Sequence, residues 1–190
     1  MKLPVVLASA SPRRAELLRR IVPDFEVVPA DVEETQFAGE SAREMAVRLA
    51  EAKATSVAAL RPEALVIGAD TVVALGEHKV IGKPVGEADA RRMLQRLSGR
   101  THNVITAVCL YWPQGAQAFS CEARVAFRTL SEAEVDAYVT SGEPLDKAGG
   151  YAIQGGAKSF VERVDGLEST VIGLPVEEIA SRLTDLWLTP

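Results

Sequence analysis

The 190-residue chain is 47% hydrophobic and 25% charged, which supports a globular core and excludes a disordered or fibrous chain. Its formal net charge of −5 lacks the basic footprint of a nucleic-acid binder, so any anion site must be a local basic cluster on an acidic body. Two cysteines, no apolar run long enough to span a bilayer and an N-terminal apolar stretch too short for a signal peptide lead us to expect a cytoplasmic protein without a membrane partner. The length suits a single domain over residues 1–190.

Pro4 to Ala8 reads as a short buried strand. Ser11 can cap the next helix and Pro12 suits its first position; the helix carries Ala15, Leu17, Leu18 and Ile21 and stops before Pro23. Phe25 to Val28 reads as a second strand. Ser41 with Glu44 forms a capping box for a helix reaching about Leu60. Ala64 to Ala69 reads as a central strand ending in Asp70. Thr71 to Leu75 and Lys79 to Ile81 read as a hairpin around Gly76 and Glu77.

Glu87 to Leu97 is helical, with Gly99 placed to end it. Val104 to Tyr111 and Ala118 to Phe127 read as paired strands around Pro113 and Gly115. Cys109 and Cys121 fall on these neighbours and read as two buried thiols. Ser131 and Glu134 form a second capping box, and Gly142 closes that helix. A glycine-rich stretch from Gly149 to Gly156 leads to a strand over Phe160 to Val164, and Pro175 opens a last helix. Interleaved strands and helices with two antiparallel pairs give an α/β fold with a mixed sheet.

Three groups carry chemistry. Arg13 and Arg14 sit in the first turn of a helix, against its dipole, at a cost of ~0.3–1 kcal/mol each. Guanidinium forks bind phosphate oxygens, and Ser9 and Ser11 add hydroxyls; the alternative is a capped surface helix with solvated arginines. Asp70, read at the carboxyl end of a strand, suits a metal ligand, an activator of water or a capped turn. Thr71 beside it either touches a ligand or continues the strand.

Lys53 lies beside the apolar helix positions Met45 and Leu49, and Lys83 follows a strand in Gly82-Lys83-Pro84; each alone reads more readily as a surface lysine than as a ligand contact. Glu33 and Glu34 form an acidic pair in a loop. Gln154 belongs to a base-recognition loop or a plain turn. His78 and His102 lack partners at metal-ligand spacing, and no nucleophile elbow or Walker-type loop is present.

Taken together, these segments resemble the Maf family of nucleotide pyrophosphatases. The matching pieces start with Leu7-Ala8-Ser9-Ala10-Ser11-Pro12-Arg13-Arg14 and Gly68-Ala69-Asp70-Thr71-Val72-Val73. Gly82-Lys83-Pro84, Leu97-Ser98-Gly99, Thr101-His102 and Thr106-Ala107-Val108 follow. Glu143-Pro144-Leu145-Asp146-Lys147-Ala148-Gly149-Gly150-Tyr151-Ala152-Ile153-Gln154-Gly155 and Gly173-Leu174-Pro175 complete the series over nearly the whole chain.

The resemblance implies hydrolysis of a nucleoside triphosphate to its monophosphate and pyrophosphate with a divalent metal, Mg2+ or Mn2+. It implies a strongly bent mixed sheet flanked by helices, in two lobes with a cleft between them, as in the inosine-triphosphate pyrophosphatases. A homodimer is expected. By position, Asp70 matches the general base or metal carboxylate, and Ser9, Arg13, Arg14, Lys53 and Lys83 match the phosphate contacts. Glu34, with Glu33 as its alternate, matches the acidic metal-side residue; Arg13, Thr71 and Gln154 match positions tied to substrate choice. The Tyr151-to-Gly155 piece looks like the branch acting on dTTP and UTP. Leu167 to Thr170 departs from the family's small-aromatic-small pattern. Two other functions are weighed: removal of deaminated purines such as ITP and XTP, and a non-enzymatic regulator of septum formation.

Overall fold

The computed structural model describes residues 3–188. Strands β1 (Val5–Ala8), β2 (Glu26–Val27), β3 (Leu65–Leu75), β4 (Lys79–Ile81), β5 (Thr101–Trp112), β6 (Gly115–Phe127) and β7 (Val161–Asp165) form one sheet. Its order is β2-β1-β3-β5-β6-β7, with β4 added to β3. β1 pairs in parallel with β2 and β3; the other pairings are antiparallel. Helices α1 (Pro12–Arg19), α2 (Ala42–Ala58), α3 (Glu87–Leu97), α4 (Glu132–Thr140), α5 (Glu168–Ile172) and α6 (Val176–Leu188) flank it.

The helix starts follow the local chemistry read from the sequence. Ser11 caps α1 with Pro12 in its first turn, and both capping boxes form, at Ser41/Glu44 and Ser131/Glu134. Gly99 and Gly142 follow the ends of α3 and α4 with positive φ. β5 and β6 run longer than the sequence patterning indicated, because they pair continuously from Thr101↔Ala126 to Trp112↔Gly115. Cys109 and Cys121 are free thiols, with Cys109 opposite Ala118 and Cys121 opposite Thr106. The five-residue α5 carries little helical signal of its own and is a feature the sequence reading did not contain.

One expectation needs correction. Ala64–Ala69 and Thr71–Leu75 are not two strands meeting at Asp70; they are one strand, β3, which runs straight through it. Continuous pairing with β5, from Val66↔Tyr111 to Ala74↔Asn103, holds it extended. Its other edge is shared: β1 pairs with Leu65 to Gly68 and β4 with Val73 to Leu75. Residues 69–72 therefore have no strand beside them on that edge among the described residues. Asp70 sits in this window, and the strand that ends there is β1.

The core divides in the same place. On one face, Val6, Val66, Val72 and Ile105 pack against α2. On the other, Leu7, Ile67 and Leu110 pack against Leu17, Leu18 and Ile179 of α1 and α6. Further along that second face, Val73, Val104, Val125 and Phe127 pack against Leu94, Leu97, Val135 and Val139 of α3 and α4. Between the last two clusters the sheet presents Thr71 and Thr106, which are register partners. Two apolar lobes thus meet at a polar seam, each buried Leu or Phe contributing ~1.5–3 kcal/mol to its own side.

Helix α2 lies very close to β3. Ala42, Ala46, Ala50 and Ala54 are fully buried at four-residue spacing, so a stripe of methyl groups runs along the buried face of the helix. A Cβ on Gly68 would lie 2.4 Å from the Ala50 carbonyl oxygen and 2.6 Å from the Ala54 nitrogen. This approach carries Lys53 over Asp70, two residues beyond Gly68 on the same strand face.

Candidate active site

A cleft of about 710 Å3 opens over the window in β3. The N-terminal turn of α1 supplies one wall, and the segment after β4 and the glycine-rich stretch supply the opposite one. At the end of β1 the chain turns sharply, with the Ser9 N–H donating to the Leu7 carbonyl at 3.0 Å. That turn delivers Ser9, Arg13 and Arg14 to the cleft.

Ser9 is buried, and its hydroxyl oxygen accepts from the Ser11 N–H at 3.2 Å and from Arg14 Nη1 at 3.3 Å. Both lone pairs are then used, which leaves the hydroxyl proton as its remaining contact, suited to an anion. Arg14 also donates from Nε to the Gly173 carbonyl at 2.9 Å and from Nη2 to Thr71 Oγ1 at 3.0 Å. Three of its five N–H donors are committed and two remain. Burial lowers the Arg14 pKa, against the opposing pull of Asp70 and Glu34. Arg13 lines the cleft without an ion pair among the described residues.

The direction of the hydrogen bonds across the seam can be derived. Thr106 Oγ1 donates to the Thr170 carbonyl at 2.7 Å, so its single proton is used. In the 2.9 Å contact between the Thr71 and Thr106 hydroxyls, Thr71 is therefore the donor. The chain runs Arg14 to Thr71 to Thr106 to the Thr170 carbonyl. Thr71 thus belongs to the set that holds Arg14 in place, and toward the cleft it can only accept.

The acidic side is a second network. Lys53 Nζ donates to Asp70 Oδ1 and to Glu34 Oε1, each at 2.6 Å, and Lys83 Nζ donates to Glu34 Oε2 at 2.7 Å. Lys53 is buried at 7% exposure, so it is not a surface lysine. Asp70 is 6% exposed; burial raises its pKa, against Lys53 and Arg14, which pull it down. Burial also works to raise the Glu34 pKa, but the hydrogen bonds and charges of Lys53 and Lys83 outweigh it and hold it at about 2. The two lysines and two carboxylates nearly neutralise one another, which is how four charged groups sit together in a partly buried cleft.

Most of the residues picked out from the sequence converge here. Ser9, Arg13, Arg14, Glu34, Lys53, Asp70, Thr71 and Lys83 all line the one cleft. Glu33 does not; it is exposed and accepts from the Thr35 hydroxyl at 3.0 Å. Gln154 lines an adjoining recess of about 30 Å3, which shares Arg13, Tyr151, Ile153 and Ile172 with the main cleft. Arg13 and Gln154 thus meet at one end of the cleft, while Thr71 lies at its floor.

The sequence reading missed Lys147 and Tyr151 as wall residues. Lys147 donates to the Glu143 carbonyl at 2.8 Å and to Asp146 Oδ1 at 2.5 Å. Tyr151 is held by a 2.7 Å hydrogen bond between its hydroxyl and His102 Nε2. His102 is buried, and burial lowers its pKa to about 4, so it supports Tyr151 as a neutral ring. The signal was their place in or just before the glycine-rich stretch. Gly149 has φ of 74°, its N–H donates to the Gly82 carbonyl at 2.9 Å, and a Cβ there would lie 3.0 Å from Val73.

Glu34 and Asp70 are the carboxylates that face each other across Lys53. No group of three or more His, Cys, Asp or Glu residues suited to a metal occurs among the described residues. Such a pair fits Mg2+ or Mn2+, which is commonly held by one or two carboxylates with substrate phosphate and water supplying the rest.

The chain is similar to known proteins over nearly its whole length. The family model for Maf-like protein matches residues 4–186. A protein of Aquifex aeolicus (strain VF5) named dTTP/UTP pyrophosphatase is 46% identical over 182 residues, covering 96% of this chain and 95% of its own length. Proteins of the same name from Anaeromyxobacter dehalogenans (strain 2CP-1 / ATCC BAA-258) and Geobacter sulfurreducens (strain ATCC 51573 / DSM 12127 / PCA) are 49% and 47% identical. They cover 94% of this chain each, and 92% and 94% of their own lengths. The chain belongs to the Maf-like family.

Proposed function

We propose that this Maf-like chain hydrolyses dTTP and UTP to the monophosphate and pyrophosphate, as a cytoplasmic homodimer that uses Mg2+ or Mn2+. The observation that carries the reading is the buried Asp70 at the floor of a cleft walled by Arg13, Arg14, Lys53 and Lys83. A triphosphate needs concentrated positive charge, and such pre-arranged charge is usually the largest catalytic contribution. The names of the relatives support the choice of dTTP and UTP. Among the described residues no helix is long and apolar enough to cross a membrane.

In the reaction, water attacks the α-phosphorus and the bond to the bridging oxygen breaks, releasing pyrophosphate. Ser9 and Arg14 grip phosphate oxygens from the α1 side, with Arg13 beside them reaching between phosphate and nucleoside, and Lys53 and Lys83 grip them from the opposite side. Asp70 orients the water and takes its proton, a role that its raised pKa favours because it makes the carboxylate a better base. A divalent cation bound at Glu34 and Asp70 would supply further charge at the phosphates. Arg13 and Gln154, at the far end of the cleft, contact the nucleoside.

The test is a pyrophosphate-release screen over standard and modified nucleoside triphosphates with Mg2+ and with Mn2+. The expected result is fastest release from dTTP and UTP. Equal or faster release from ITP would replace the pyrimidine assignment with removal of deaminated purines. Binding of dTTP without pyrophosphate release would reject the enzymatic reading in favour of a regulator.

A further inference from the structure

The wall that carries Ile153 and Gln154 is built on a segment of 3-10 turns with no strand partner among the described residues, so something other than a sheet must hold it. Two side chains do so, Tyr138 in the last turn of α4 and Glu143 just beyond it. Glu143 accepts from the Tyr138 hydroxyl through Oε1 at 2.9 Å and from the Gly156 N–H through Oε2 at 3.1 Å. The Tyr138 hydroxyl, having donated its proton to Glu143, accepts the Ala152 N–H at 3.2 Å. The segment is thus strung between two anchors, Ala152 at one end and Gly156 at the other. Ile153 and Gln154 lie between them.

The glycines record how closely the clamp is drawn. A Cβ on Gly155 would lie 1.9 Å from Glu143 Oε1, and one on Gly156 would lie 3.1 Å from the Tyr138 ring. The clamp is also rooted. Tyr138 is 6% exposed and stacks edge-on against Phe160, whose ring meets that of Phe127, which in turn meets the ring of Tyr151. Glu143 itself lines neither the cleft nor the recess.

We propose that Glu143 is a positioning residue for nucleoside discrimination: through the Tyr138 hydroxyl and the Gly156 N–H, it sets the place of Ile153 and Gln154 at the nucleoside end of the cleft. This rests on the reading of the cleft as a triphosphate site. It separates the two ends of the substrate. Loosening the clamp releases the nucleoside wall but leaves Ser9, Arg14, Lys53 and Asp70 untouched, because they are carried by β1, α1, α2 and β3.

The experiment uses the full chain with Glu143→Ala and with Gly155→Ala, whose added methyl would push the carboxylate aside. For each, KM and kcat are measured with dTTP, UTP and ITP, with inhibition by inorganic pyrophosphate as the reading of the phosphate end. We expect KM for dTTP to rise tenfold or more and the preference for dTTP over ITP to shrink, with the pyrophosphate inhibition constant within twofold of wild type. Glu143→Gln, which keeps one acceptor oxygen, falls between. Unchanged KM and preference in either folded variant overturns the inference. So does a rise in the pyrophosphate constant parallel to KM, which would mark general loosening. A wild-type protein that releases no pyrophosphate from any nucleotide rejects the proposed function instead, and the ratio of wild-type to variant dissociation constants for dTTP then reads the clamp alone.

Discussion

The two ends of the cleft are made in different ways. At the end proposed to hold phosphate, Ser9, Lys53 and Asp70 stand on or directly beside regular elements and are locked by ion pairs and a one-way hydrogen-bond chain. At the end proposed for the nucleoside, Gln154 is exposed on a segment held by backbone N–H bonds to two side chains. Phosphate is common to every nucleotide, so its site gains from rigid charge that need not choose. A base is distinguished by a few polar atoms, and a loop can be altered there without disturbing the sheet.

The contrast can be broken first at Asp70. Asp70→Asn should lower kcat by at least about 100-fold for every nucleotide alike while dTTP binding, measured by calorimetry, persists. Retention of more than a tenth of the wild-type rate removes Asp70 from the reaction. Arg14→Lys should cost about 10-fold or more in kcat/KM, again for all nucleotides, because an ammonium cannot reach Gly173, Thr71 and Ser9 together. A change in nucleotide preference without a loss of rate would instead put Arg14 at the wrong end.

Gln154→Ala should do the opposite. It should change the ratio of dTTP to ITP turnover by up to about 10-fold and leave pyrophosphate inhibition unaltered. A uniform loss over all substrates would erase the distinction between the ends.

The smallest effect concerns stability. Glu34 in the folded chain has a pKa of about 2, below the ordinary value near ~4.3 of an unfolded glutamate. Its ionised form therefore stabilises the fold fully above the unfolded value, and that stabilisation fades as pH falls toward 2. Glu34→Gln should have a lower denaturant midpoint than wild type at pH 7, and the two midpoints should converge between roughly pH 4 and pH 2. A gap independent of pH would mean that the lysine bridges do not act through charge.

The α1 wall of the cleft was largely legible in the sequence, because its parts are local. Ser11, Pro12 and two arginines in a first turn specify a helix start, and they oppose its dipole strongly enough to suggest an anion. Capping boxes were legible for the same reason. What escaped was set by pairing between distant segments. Asp70 read as a strand end because apolar residues stop there, but β5, more than thirty residues on, carries the strand through it. Lys147 and Tyr151 were hidden because their supports, Glu143 and His102, act by long-range or backbone contact rather than by pattern. Glu33 and Glu34 are equivalent in sequence, and only the position of Lys53 and Lys83 in space separates them.

The window in β3 has a consequence for how the chain tolerates change. Its width is a count of residues: β1 pairs up to Gly68, β4 takes over at Val73, and the opening lies in between. The room for a triphosphate is therefore written in chain length as much as in side chains. A deletion between Ala8 and Pro12, or an insertion in the turn joining β3 to β4, would move an edge of the opening by a whole pleat. Such length changes should be harsher than most substitutions in the same loops, and drift in this chain should proceed by exchange of residues there and not by gain or loss.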